Sequence, residues 1–277
     1  VAAEIVEEDL GTVATGVAGS TLTVNNVGKS YNIAKTPKSP PEPTPVLQPV
    51  SITAPPGELV TIVGPSGCGK STLFGIVAGL EEPTQGTVEI DGQDVTGTTG
   101  HVGYMLQKDM LLPWRSILDN VIIGLEVRGV KRSDAVAAAR PLLQEYGLGD
   151  YEQARPAQLS GGMRQRAALL RTLLFNRPIM LLDEPFGALD AQTRLQMQLW
   201  LLEVQESFQK SIVFVTHDID EAVLLSDRIY VMRGRPGYVA REIHVDLPKP
   251  RDTQITTTPE FTAYKDEVRS LLMDKGE

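Results

Sequence analysis

Residues 64–71 read Gly-Pro-Ser-Gly-Cys-Gly-Lys-Ser, which fits G-x-x-x-x-G-K-[ST]. The run Glu58 to Val63 before it has the character of a buried strand. Leu73, Ile76, Val77 and Leu80 after it keep helical spacing over Ser71 to Leu80. A strand that runs into a glycine-rich loop and then a helix commits a chain to an α/β architecture with a phosphate-binding turn at one end of a sheet. Glycines let successive backbone N–H groups turn inward around anionic oxygens, and the helix N-terminus adds its positive end. Gly64, Pro65, Ser66, Gly67, Cys68 and Gly69 are therefore candidates for backbone contacts to phosphate. Lys70 offers a point charge, Ser71 a hydroxyl for Mg²⁺, and Thr72 completes the set. Cys68 is expected to contribute only its main chain.

Two further segments carry chemistry. Ile179 to Leu182 is a continuous apolar run after Pro178, and it ends in Asp183-Glu184. Such an ending is common at ordinary strand termini. Beside a phosphate-binding loop, however, the pair supplies a metal partner for Ser71 in Asp183 and a general base toward water in Glu184. Leu159-Ser160-Gly161-Gly162-Met163 opens a helix expected to run through Leu174. Taken alone it is a helix N-cap with Ser160 as the cap, and taken with the first loop it is a second place where backbone donors could meet an anion.

Around these motifs the order is that of a parallel sheet covered by helices. Ser211 to Val215 is another expected strand, as are Gly86 to Gly92 with its turn and Val239 to Val245. Ser116 to Gln153 is helical in period, clearest over Ser133 to Tyr146, and Pro259 to Asp274 reads as a closing helix. Near the start, Leu22, Val24 and Val27 around Asn25-Asn26 suggest two short paired strands and an edge hairpin. The proline-rich 36–45 reads as an extended, solvated loop without ladder hydrogen bonds. Residues 1–19 are expected to form a flexible tail and 20–277 one domain, with a helical subdomain over about 108–170 and a C-terminal extension over 235–277.

The chain has 277 residues, 42% hydrophobic and 22% charged, enough for a sizeable core. Its 26 Lys and Arg against 35 Asp and Glu give a formal charge of −9, which argues against nucleic acid as a partner. Cys68 is the single cysteine, so neither an internal disulfide nor a multi-cysteine zinc site can form. No uncharged apolar run reaches the roughly 18 residues of a membrane span. The acidic N-terminal segment lacks the basic start and apolar block of a secretory signal, so the expected place is the cytoplasm.

The ordered set of loop, LSGG segment and paired acids resembles the ATP-binding cassette (ABC) family of transport ATPases, from about Leu22 to the C-terminus. The resemblance implies a P-loop NTPase (RecA-like) core with a mostly parallel sheet, an antiparallel β subdomain and an inserted helical subdomain. It implies ATP and Mg²⁺ as the ligands. It also gives roles to residues that carry no signal alone: Tyr31 as the aromatic stacking on adenine, Gln107 as the glutamine sensing Mg²⁺ and the attacking water, Asp190 in Gly187-Ala-Leu-Asp as the aspartate facing a second cassette, and His217 as the histidine contacting the γ-phosphate. Two such domains pair head to tail in that family, so Lys70 of one copy and Ser160, Gly161 and Gly162 of another would meet one ATP. Two departures stand out. The stretch between Tyr31 and Val46 is longer than the family usually has, and Leu106 replaces a common phenylalanine.

Leu111-Leu-Pro-Trp114, Asp119-Asn-Val121, Arg235-Pro-Gly237 and Ile243-His-Val-Asp-Leu-Pro248 together resemble importers of nitrate, sulfonate, taurine and related solutes. That branch implies a peripheral subunit on the cytoplasmic face of the inner membrane. Its partners are two membrane-spanning permease subunits, a solute-binding protein indirectly, and a second copy of this chain or a related cassette. A docking groove is expected near Gln107 to Trp114, marked by exposed apolar side chains. An exporter or lipid-transport cassette, a soluble cassette ATPase and a small-molecule kinase fit the motifs less well.

Overall fold

A computed structural model of the chain describes residues 19–34, 40–187 and 189–273. The expected flexible tail lies outside the described residues, except for Gly19, whose N–H donates to the Gln209 carbonyl at 2.8 Å.

Among the described residues ten strands form two sheets. The larger has six, in the order β10-β9-β3-β8-β7-β6. They are β3 (Leu59–Val63), β6 (Val102–Met105), β7 (Ile179–Asp183), β8 (Ser211–Thr216), β9 (Arg228–Arg233) and β10 (Tyr238–His244). All neighbours are parallel except β10, which runs antiparallel to β9. Every residue of β3, β7 and β8 is buried, because apolar layers cover both faces, and this explains their nearly continuous apolar runs, broken inside only by Thr61. Period-2 alternation divides their side chains between two clusters. Leu59, Val63, Met180, Leu182, Ile212 and Phe214 face one, and Val60, Ile62, Ile179, Leu181, Val213 and Val215 face the other.

The first cluster contains the helices α2 (Ile117–Val121), α3 (Ile123–Val127), α4 (Arg132–Glu145), α5 (Gly161–Leu174), α6 (Ala191–Phe208), α7 (Ile219–Leu225) and α8 (Pro259–Met273). The second is closed by α1 (Lys70–Val77) and by a four-stranded antiparallel sheet of order β2-β1-β4-β5: β1 (Leu22–Ile33), β2 (Glu42–Ala54), β4 (Gln85–Ile90) and β5 (Gln93–Asp94). The helices expected at 71–80, 133–146, 161–174 and 259–274 are thus present within a few residues of their expected ends.

Two expectations are corrected, and two strands lie outside what was expected. The Asn25-Asn26 pair is not a hairpin turn. Asn26 takes φ +48° inside the single strand β1, and the register with β2 and β4 slips there, so the pair is a bulge in a strand paired on both sides. The proline-rich stretch is not wholly a solvated loop. Glu42, Pro43, Thr44 and Pro45 pair with Ile33, Asn32, Tyr31 and Ser30. β2 is an edge strand, where a proline two residues from the next removes only N–H groups that face away from the ladder. Finally, β6 and β9 have no counterpart among the expected strands. β6 is four residues with Gly103 inside it, and β9 follows α7 after a short break, so neither stands out by periodicity.

Candidate functional site

Parallel register brings the motifs together. Val63 pairs with Thr216, Asp183 with Val215 and Leu182 with Met105. The carboxyl ends of β3, β8, β7 and β6 therefore lie side by side, where open α/β sheets place their ligands. In that order they release the Gly64–Thr72 loop, His217, Glu184 and Gln107.

The loop fits a phosphate chain. Gly67 and Gly69 hold φ +80° and +94°, a region closed to most side chains. Gly69 is the N-cap of α1, and no side chain caps that end, so its first N–H groups are free of side-chain competition. Lys70 is buried and donates to the Gly64 and Pro65 carbonyls at 2.6 and 3.0 Å. Cys68 is buried, and burial raises its thiol pKa against the opposing pull of Lys70, so the side chain is a neutral thiol and its backbone forms the wall.

At the exit of β7, Asp183 is buried with the Ser71 side chain beside its carboxylate. Burial pushes its carboxyl pKa up, the Ser71 hydroxyl and Lys70 oppose this, and the charge of Glu184 adds to it. Among the described residues no group of three or more His, Cys, Asp or Glu gathers to hold a metal. Ser71 and Asp183 are two adjacent oxygen donors, which suits Mg²⁺, because that ion takes its other ligands from phosphates and water.

Glu184 holds φ +49°, the left-handed region. Two bonds fix it there: its N–H donates to the Val215 carbonyl at 2.9 Å, and its carbonyl accepts from Gln165 Nε2 at 2.9 Å. Its carboxylate takes a bond from Gln107 Nε2 at 3.2 Å and stands 3.4 Å from His217 Nδ1. The three residues expected to be catalytic, Glu184, Gln107 and His217, thus form one cluster.

The remaining expected residues lie apart from it. Ser160 is the exposed N-cap of α5, its hydroxyl accepting from Met163 N at 3.3 Å, with Gly161 and Gly162 in the first turn. Asp190 is the exposed N-cap of α6. It accepts from Thr193 N at 3.0 Å, and hydrogen bonding from the Thr193 side chain, with that backbone bond, holds its carboxyl below the usual range. Among the described residues, no hydrogen bond or ion pair joins Ser160, Gly161, Gly162 or Asp190 to the Gly64–Thr72 loop. Tyr31 sits on the antiparallel sheet, its hydroxyl donating to Glu81, with Lys29 Nζ 4.9 Å from the ring centroid.

Of the apolar residues expected to mark a groove, Leu106, Met110 and Trp114 are exposed, whereas Met105 and Leu111 are buried. The cavity beside them, about 360 Å³, is lined instead by Leu80, Val102, Tyr104, Val127, Arg171 and Phe175 among others. Arg171 joins it to the expected segment by donating to the Asp109 and Met110 carbonyls.

The sequence pattern of the ABC transporter family matches residues 47–187. The chain belongs to the ABC transporter family. As a cassette of that family it binds ATP with Mg²⁺ and hydrolyses it, on the α/β P-loop fold described above. It is 43% identical over 222 residues to the nitrate import ATP-binding protein NrtD of Synechocystis sp., covering 78% of this cassette and 84% of that protein. It is 40% identical over 237 residues to the taurine import ATP-binding protein TauB of Pseudomonas aeruginosa, covering 84% and 90%. The dimeric structure of the bacterial ABC transporter cassette MJ0796 superposes with a TM-score of 0.74 at 32% identity, covering 82% of this cassette and all of that chain. A second structure of MJ0796, dimeric in a post-hydrolysis state with ADP and Pi, gives 0.73.

Sequence reasoning gave no role to Gln165, which positions the Glu184 backbone, or to Glu221, buried behind His217. Glu221 accepts from Thr216 Oγ1 at 2.6 Å and Gln198 Nε2 at 3.2 Å. Both residues are helical, and only the fold shows what they touch.

Proposed function

We propose that this chain is the ATP-hydrolysing subunit of an importer for a small solute of the nitrate, sulfonate, taurine or bicarbonate kind, working as a pair with a second cassette under two permease subunits. The observation that carries the ATPase part is the single carboxylate of Glu184, faced by Gln107 and His217 and one residue from the Ser71–Asp183 pair. The solute class rests on the likeness to NrtD and TauB.

In this reading the backbone N–H groups of Ser66 to Ser71 and the Lys70 ammonium hold the phosphates, and Ser71 and Asp183 would hold Mg²⁺. When bound, the ion neutralises charge on the phosphate oxygens. Glu184 takes the proton of the attacking water, Gln107 orients that water, and His217 donates toward the terminal phosphate. The exposed positions of Ser160, Gly161, Gly162 and Asp190 suit contacts made with the second cassette rather than within one chain. No helix among the described residues is long and apolar enough to cross a membrane, which suits a peripheral subunit on the inner face. Its cleft at Leu80, Val127 and Phe175, with Trp114 69% exposed nearby in sequence to Met110, suits docking of an apolar permease segment. A solute-binding protein would act on the permease from the far side.

The test is ATP hydrolysis over a dilution series. Specific activity falling with dilution supports a paired mechanism, and a full rate at every dilution excludes it. Reconstitution with permease subunits, and stimulation by a binding protein loaded with nitrate or taurine, tests the solute class.

A further inference from the structure

The loop after β9 reads Gly234-Arg-Pro-Gly237, and it packs against the outer side of the Gly64–Thr72 loop. The approach is backbone to backbone. A Cβ at Gly237 would lie 1.7 Å from the Cys68 carbonyl oxygen, and one at Gly64 would lie 2.5 Å from that of Met232. The same loop is pinned on its other side, since Gly237 N–H donates to the Val46 carbonyl at 2.9 Å and its own carbonyl accepts from Gln48 N at 2.8 Å. It is therefore a fixed wall, tied both to the phosphate-binding loop and to the antiparallel sheet that carries Tyr31.

From this wall Arg235 donates through Nη2 to the Ser66 carbonyl. Its guanidinium also covers Gly67: a Cβ there would meet Nη2 at 2.7 Å, Cζ at 2.9 Å and Nε at 3.1 Å. Among the described residues no carboxylate pairs with Arg235. Its charge reaches the loop interior, where, after burial and Lys70, it is among the influences on the Cys68 thiol.

We infer that Arg235 is a positioning residue for nucleotide binding: by holding the Ser66 carbonyl outward it fixes the Ser66–Gly67 peptide plane, and so aims the Gly67 N–H at the phosphate chain. The reason is geometric. A trans peptide is planar, with its C=O and N–H pointing in opposite directions, so a bond that fixes one fixes the other. Glycine at 67 leaves that plane free to flip, at φ +80°, unless something outside holds it. Lys70 holds the Gly64 and Pro65 carbonyls from its own side and Arg235 holds the next carbonyl along, so three successive carbonyls of the loop are fixed, and the Ser66–Gly67 peptide is the one fixed from outside.

The inference rests on the reading of this loop as the nucleotide site. Its test compares Arg235→Ala, Arg235→Lys and Lys70→Ala with the parent chain. Affinity for Mg-ATP and for inorganic tripolyphosphate is read by titration calorimetry, and thermal melting is read without ligand. Arg235→Ala is expected to weaken both ligands by the same factor, about tenfold, to raise KM more than it lowers kcat, and to leave the ligand-free melting temperature within a degree or two. Arg235→Lys, which keeps a donor but not the flat group over Gly67, should recover part of the loss. Unchanged affinities in Arg235→Ala, or a loss explained by a lower ligand-free melting temperature, overturn the inference. If Lys70→Ala weakens binding and Arg235→Ala does not, the nucleotide site stands and only the role of Arg235 fails. If neither does, both fail.

Discussion

Gln107 Nε2 bonds to one oxygen of the Glu184 carboxylate at 3.2 Å, and His217 Nδ1 stands 3.4 Å from the other. Both oxygens are thereby occupied by groups on the neighbouring strand ends, and a water that displaces either contact arrives between a base and a donor. Glu184→Gln keeps the shape of the side chain and removes the base. It is expected to retain Mg-ATP binding and to lower turnover by about 10²–10⁴-fold. Steady-state hydrolysis beside equilibrium binding checks this, and near-normal turnover would assign the base elsewhere.

Ser160 is exposed and its contact is local, a cap on Met163 N at 3.3 Å. Ser160→Arg loses that cap, about 1 kcal/mol of helix stability, which a cassette of this size tolerates. A long cation at this spot is expected to block pairing while sparing ATP binding. In the Glu184→Gln background, light scattering should show a dimer with Mg-ATP and a monomer once Ser160→Arg is added. Normal dimerisation of the double variant would place the second half-site away from Ser160.

Much of this site is written locally. The Gly64–Thr72 loop needs glycines at fixed offsets between a strand and a helix, and the end of β7 needs an apolar run that stops at Asp183, so both are legible from neighbours in the chain. The strand β9 and the bulge at Asn26 are not, because what defines them is a partner strand far away: β3 for β9, β2 and β4 for Asn26. The proline-rich stretch misled for a related reason. Proline excludes an interior strand but not an edge, and whether β2 is an edge is a fact of the sheet. Gln107 and His217 carry meaning only as companions of Glu184, 77 and 33 positions from it along the chain, which resemblance supplied and spacing alone did not.

Glu221 links the strand end before His217 to α6, the helix that Asp190 caps. Its buried carboxylate accepts from Thr216 Oγ1, the residue before His217, and from Gln198 of α6, with Arg194 Nε at 4.0 Å. Arg194 in turn donates to the Leu189 carbonyl and lies 3.9 Å from Asp218. Glu221→Leu leaves the Thr216 hydroxyl proton and Gln198 Nε2 without an acceptor in a buried place, while Thr216 Oγ1 still accepts from Asp218 N, and is expected to cost about 1–3 kcal/mol and to depress kcat through His217. Glu221→Gln, which keeps an acceptor, should cost less than half as much. Denaturant unfolding and kcat of both variants check the ordering, and equal losses would show that shape alone matters.

Lys210, 2% exposed, donates to Asn176 Oδ1 at 2.7 Å and to the Arg177 carbonyl at 3.0 Å. Burial, with Arg128 nearby, pushes its ammonium down to about 8 from an ordinary 10.5. The folded state therefore holds fewer protons at this group than the unfolded state between those two values. Stability contributed by Lys210 must then rise with pH across that window, by at most ~3 kcal/mol, and stay flat below about pH 8. Lys210→Met removes the titration while other groups titrate alike in both proteins. The difference in unfolding free energy, parent minus Lys210→Met, is expected to climb from pH 8 to 10.5, since the neutral amine still donates to Asn176 and Arg177 without the cost of a buried charge. A difference that is constant, or that falls over this range, would mean that Lys210 stays charged at no cost, and that Asn176 and the Arg177 carbonyl solvate it as well as water does.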